Sequence, residues 1–96
     1  MPRASIAATT ARAVYELATG QHDIALTRLD QTLAKARATP PALRDTLVCV
    51  IRAEEAAGYP ERALARLQEL SEHVYRSAIE RALRRVELDW LEEGLV

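Results

Sequence analysis

The chain has 96 residues and a mass of 10.7 kDa, which leaves room for one domain. Apolar residues make up 49% of it and charged residues 28%, a globular balance rather than a disordered or membrane-spanning one. Thirteen basic residues against fourteen acidic ones give a net charge of −1, which excludes the strongly positive field that nucleic acids and anionic membranes select.

Ala and Leu dominate, while Gly (3) and Pro (4) are scarce and Phe is absent. Ala and Leu lose little entropy on entering a helix, so this mix favours an all-α fold over a sandwich or barrel. Gly20, Thr39-Pro40-Pro41 and Gly58-Tyr59-Pro60 punctuate the chain. Glycine often ends helices and proline is tolerated only in a first turn. Helices are therefore predicted over about 3–19, 22–37 and 41–57, with a fourth starting at Pro60 or Glu61.

Apolar residues recur at three- and four-residue spacings in each segment, one stripe per helix. Ile6, Thr10, Val14 and Leu17 mark the first, Ala25, Leu29, Leu33 and Ala36 the second. The third carries Leu43, Leu47, Val50 and Ile51; its run from 47 to 51 is apolar nearly all round, as in a central helix with neighbours on both sides. Ala63, Leu64, Leu67 and Leu70 mark the fourth. Ser71 is a credible N-cap, so a break at 71–73 is predicted, followed by a fifth helix over about 73–93 carrying Tyr75, Ile79, Leu83, Val86 and Trp90. Tyr15 and Tyr75 are expected between helices.

One signal stands above composition. Residues 20–29 and 58–67 both read G-x-x-[acid]-x-A-L-x-R-L, at an offset of 38 residues. A fixed period of this size is the mark of stacked repeats, each a helix hairpin that cannot bury its apolar face alone. Repeat 1 spans about 3–38 and repeat 2 about 41–71, with 73–93 as a capping or connector helix, all in one domain over residues 1–96.

On Gly20, Ala25 and Leu29, and again on Gly58, Ala63 and Leu67, the chain resembles the tetratricopeptide repeat (TPR) family, in particular the degenerate arrays of bacterial regulators. It departs from that family in its period of 38 rather than 34, and in lacking the Trp and Leu-Gly pair of the first helix of each repeat. The resemblance implies a right-handed array of two hairpins and a C-terminal helix. It also implies a protein-interaction function, with a groove lined by the first helix of each repeat at Thr10, Val14, Leu17, Val48, Arg52 and Glu55. The Lys and Asn that clamp a C-terminal carboxylate in some TPR grooves are missing, so an apolar helix or extended peptide is the expected ligand.

No catalytic constellation is legible. His22 and His73 have no second ligand at metal spacing, and no glycine-rich phosphate loop or G-x-S-x-G context exists. No enzymatic activity, cofactor or metal is expected. Glu54 and Glu55 read as solvated or partner-facing charges, and Arg81, Arg84 and Arg85 as a mixed-charge exposed face. Cys49, the single cysteine, reads as a buried small hydrophobe and fits a reducing cytosol. The distal residues Val86, Trp90 and Leu91 exceed what a short fourth helix can cover, so they are expected to contact a second copy or another protein. An alternative reading is accordingly a regulatory or dimerising segment of a larger bacterial signalling protein.

Overall fold

The computed structural model describes residues 3–94; Met1, Pro2, Leu95 and Val96 lie outside the described residues. These residues form four α-helices and no strand: α1 (Arg3–Ala18), α2 (His22–Arg37), α3 (Pro40–Ala56) and α4 (Pro60–Glu92). The all-α expectation holds, and the first three helices begin and end within a residue of the predicted bounds.

The turns follow from the punctuation. Gly20 and Gly58 have φ of +88° and +90°, a left-handed conformation open to glycine and costly for other residues. At the first, Gly20 N–H donates to Leu17 O at 3.2 Å and Gln21 N–H to Glu16 O at 2.9 Å. At the second, Gly58 N–H donates to Glu55 O at 3.1 Å and Tyr59 N–H to Glu54 O at 2.8 Å. This is the Schellman closure of a helix C-terminus, made twice at the 38-residue offset. Pro40 and Pro60 open α3 and α4, where the missing N–H costs nothing.

Helix α1 packs on α2, α3 packs on α4, and α3 also touches both α1 and α2. The core is therefore centred on α2 and α3, with Ile6, Leu29, Leu33, Leu47 and Val50 fully buried. Ala25 and Ala36 let α2 approach its neighbours closely, both without exposed surface. The repeat positions Leu29 and Leu67 part company here: Leu29 is buried and Leu67 is half-exposed. Leu29 sits on a helix packed from two sides, whereas α4 packs closely on α3 alone and reaches α2 only through long ion-pairing side chains.

The predicted break at 71–73 is absent. Helix α4 runs unbroken through Ser71, Glu72 and His73 for 33 residues, and there is no separate fifth helix. None of these three residues is a Gly or Pro, and a serine inside a helix costs only a few tenths of a kcal/mol, roughly half that of a glycine. At about 1.5 Å per residue such a helix is roughly 50 Å long, longer than the body it packs on. Its distal half projects, which explains a long axis of 61 Å and a radius of gyration of 17.2 Å. A compact chain of this length would have a radius of about 12–13 Å.

Candidate functional site

Two surfaces and one ionic network, anchored on buried glutamates and exposed at its edge, distinguish the molecule. The first surface is an apolar groove of about 350 Å³ between α1 and α3, lined by Ile6, Ala7, Thr10, Ala11, Val14, Ala42, Asp45, Thr46 and Cys49. Its floor is made by Ile6, Ala42, Thr10 and Thr46, all buried. The Thr10 and Thr46 hydroxyls donate to their own helices, to Ile6 O and Ala42 O, each at 2.8 Å. Their protons are thus committed, and the floor offers a ligand mainly hydrocarbon. Val14, Ala7, Ala11, Cys49 and one charged residue, Asp45, form the exposed walls.

Of the six residues expected to line a groove, Thr10 and Val14 do so. Leu17 does not: it is buried in the core, because its position on α1 turns it towards α2 and α3. Val48 is half-buried, and Arg52 and Glu55 are exposed, but all three lie outside the groove. Cys49 is exposed on the groove wall rather than buried. The run 47–51 is apolar, yet Leu47 and Val50 alone face the core fully, and Cys49 falls on the other side of the helix. Tyr15 and Tyr75 are likewise exposed, at 67% and 70%, and fill no space between helices.

The ionic network repeats with the turns. Glu16 Oε1 accepts from Arg28 Nε at 2.6 Å, and Glu54 Oε2 accepts from Arg62 Nε at 2.6 Å. Arg66, the counterpart of Arg28 at the 38-residue offset, places its Nε 3.4 Å from Glu54 Oε1. That approach is an ion pair without hydrogen-bond geometry, which leaves these two buried atoms held by charge alone. Asp30 on α2 receives both Arg62 and Arg66, and Arg37 on α2 donates from Nε and Nη2 to the two Glu69 carboxylate oxygens, each at 2.8 Å. Glu54 is therefore a fully buried ion-pair acceptor, not a solvated charge. The signal was present: Glu16 and Glu54 each stand four residues before the repeated glycine.

Each of these glutamates serves twice, its backbone carbonyl closing the turn and its carboxylate holding the next helix. Hydrogen bonding to Glu16 raises the Arg28 pKa above its ordinary value, and hydrogen bonding to Glu69 raises that of Arg37. Arg62 is raised as well: its desolvation pulls the other way but is outweighed by Glu54 and Asp30 together. The hydrogen bond from Arg37 holds the Glu69 carboxyl below the usual range. Every shift favours the charged form, the mark of structural pairing rather than of a group poised to move protons near neutral pH. His22 Nδ1 and the Tyr59 hydroxyl share a hydrogen bond of 2.6 Å that ties the two turns together. Among the described residues no group of His, Cys, Asp and Glu is arranged to hold a metal ion.

The second surface is the distal part of α4. Ala63 and Leu70 face the body, and the half-buried His73 and Ser77 are the last residues to do so. Beyond them Ile79, Leu83, Val86, Leu88, Trp90 and Leu91 are all exposed. The expected openness of Val86, Trp90 and Leu91 is thus what the structure has, at 42%, 50% and 60%. Among the described residues no helix is long and apolar enough to cross a membrane. No protein-family model matches the chain, and no curated protein or solved structure is significantly similar to it.

Proposed function

We propose that the chain is a protein-interaction module without catalysis of its own, a TPR-like pair of repeats in a right-handed array. It holds an apolar peptide or helix of a partner protein in the α1–α3 groove. The observation that carries this reading is the groove itself: an open channel with a hydrocarbon floor, left uncovered by the rest of the described residues. The repeated turn, with its paired glutamate and arginine, supports the array by giving both hairpins the same closure. In this reading the ionic network fixes the angle between hairpins, and hence the width of the groove. The reading places the module in the cytosol, with its one thiol reduced.

Selection of displayed peptides on the protein, with counter-selection on Val14→Arg, tests it. Enriched peptides should carry apolar anchors, lose binding to Val14→Arg, and slow alkylation of the exposed Cys49 thiol. Peptides that bind wild type and Val14→Arg alike would place the site elsewhere.

A second reading is favoured by one observation, the projection of α4 past its last contacts with the body. A regulatory segment of a larger bacterial signalling protein that dimerises through this helix would use such a connector. Sedimentation of the protein alone distinguishes the two.

A further inference from the structure

Helix geometry sets four of the six exposed apolar residues of distal α4 apart from its packed face, whereas Leu88 and Leu91 continue the side of Leu70 and His73. A helix turns by about 100° per residue. Ile79 is nine residues beyond the core-facing Leu70, and so lies half a turn away on the outer side. Ile79, Leu83, Val86 and Trp90 follow at i, i+4, i+7 and i+11, one continuous outer stripe, all exposed. This is the anchor spacing by which one helix is read by another or by a groove.

The charges that border this stripe most closely along its length are carboxylates. Glu80 and Glu87 border it on one flank, Asp89 and Glu93 on the other, and all four are exposed. Arg76 lies at its start, Arg81 and Arg85 stand outside Asp89 and share a shallow hollow with it and Val86, and Arg84 lies outside Glu80 and Glu87. None of Glu80, Glu87 and Asp89 has an ion-pair partner among the described residues. The apolar seam is therefore framed by unpaired carboxylates.

That frame decides between occupants. A second copy would bring the same carboxylates to the same seam. In an antiparallel pair Glu80 would meet Glu87 of the other copy, and in a parallel pair no flanking residue would find an opposite charge. A partner with Lys or Arg along its flanks would pair with every one of them and be steered to the site from solution. We propose that the outer stripe of distal α4 is the docking face for a cationic amphipathic helix of a different protein, with Ile79, Leu83, Val86 and Trp90 as anchors and Glu80, Glu87 and Asp89 selecting the charge. This goes beyond the α1–α3 groove and does not rest on it, since the two surfaces share no residue.

Trp90 is the only tryptophan, so its emission reports on the stripe directly. The probes are two synthetic amphipathic peptides with the same Leu seam, one flanked by Lys and the other by Glu. The Lys peptide should shift Trp90 emission to the blue saturably, with at least tenfold tighter binding than its Glu twin, and should weaken as salt is raised. Glu80→Lys with Glu87→Lys should reverse the preference. Leu83→Ser with Val86→Ser should lower affinity for the Lys peptide tenfold or more while circular dichroism stays that of a helical protein. Equal binding of the two peptides, binding of neither, or a preference unchanged by the charge reversal would overturn the proposal. So would a wild-type protein that sediments as a dimer at low micromolar concentration and loses that dimer with the Leu83 and Val86 changes.

Discussion

Replacing Glu54 by Gln is the most informative single perturbation of the fold. The carboxylate has no exposed surface and accepts from Arg62 at 2.6 Å, with Arg66 at 3.4 Å on its other oxygen. Glutamine keeps the shape but removes the charge, and its amide nitrogen would face a guanidinium as donor to donor. A hydrogen bond to a charged group contributes roughly 1.5–3 kcal/mol, and the arginines keep Asp30 and partial hydration, so the loss should be about 2 kcal/mol. For a domain of this size that is a fall in Tm of roughly 10 °C. Glu16→Gln should cost less, because Glu16 has one arginine rather than two and keeps a little exposure. Thermal unfolding followed by circular dichroism reads both. A double-mutant cycle of Glu54→Gln with Arg66→Met should show coupling beyond 0.5 kcal/mol or so, the level that marks residues in one network. If Glu54→Gln melts with wild type, the buried network does not hold the second hairpin and the account of the repeated Glu–Arg pair fails.

Other outcomes follow from the same geometry. Ala25→Trp should cost more than Ala63→Trp, each by about 1–3 kcal/mol or more of overpacking, because α2 is covered on two sides while α4 can lean away from α3; chemical denaturation measures both, and equal losses would refute the asymmetry. Gly20→Ala and Gly58→Ala should each cost roughly 1–2 kcal/mol from left-handed strain alone, since nothing lies within 4 Å of either added Cβ; a difference of more than a kcal/mol or so between them would mean the two turns are not equivalent. The Glu69 carboxyl is held below its usual pKa by Arg37, so its contribution is present at neutral pH and is lost as pH falls through that lowered value. The pair is partly exposed and should contribute ~1 kcal/mol or less. The Tm gap between wild type and Glu69→Gln should accordingly close on acidification, and a gap that widens would reverse the assignment.

The sequence carried the helices and their turns because both rest on local chemistry. Glycine at positive φ and proline at a first turn leave few alternatives, so Gly20, Pro40, Gly58 and Pro60 located all three boundaries between the four helices. The proposed boundary at Ser71 had no such residue behind it, and the helix simply continues there. Burial was less legible because it depends on which neighbours exist. Leu29 and Leu67 occupy matching positions, yet only the first has helices on both sides. Cys49 and Glu54 exchanged the environments expected of them for the same reason. An apolar run is longer than the face a helix can bury, so Cys49 fell on the groove side. A glutamate beside a turn can be buried when arginines from the next helix reach it, as Arg62 and Arg66 do. Thr10 and Val14 were legible as groove residues only through the TPR resemblance, which points to Leu17, Val48, Arg52 and Glu55 as well; Ala7, Ala11 and Cys49 carried no signal, being small side chains that gain meaning only when α1 and α3 are side by side.

The central claim is that the α1–α3 groove receives a partner protein, and site-specific photocrosslinking tests it most directly. A photoreactive phenylalanine at Val14, on the groove wall, is compared in the native cell with one at Gln31, on the outer face of α2. The account predicts a discrete adduct of defined mass from position 14, lost when Ala11 is also changed to Arg, and none from position 31. No adduct from position 14, or the same adducts from both positions, would contradict it.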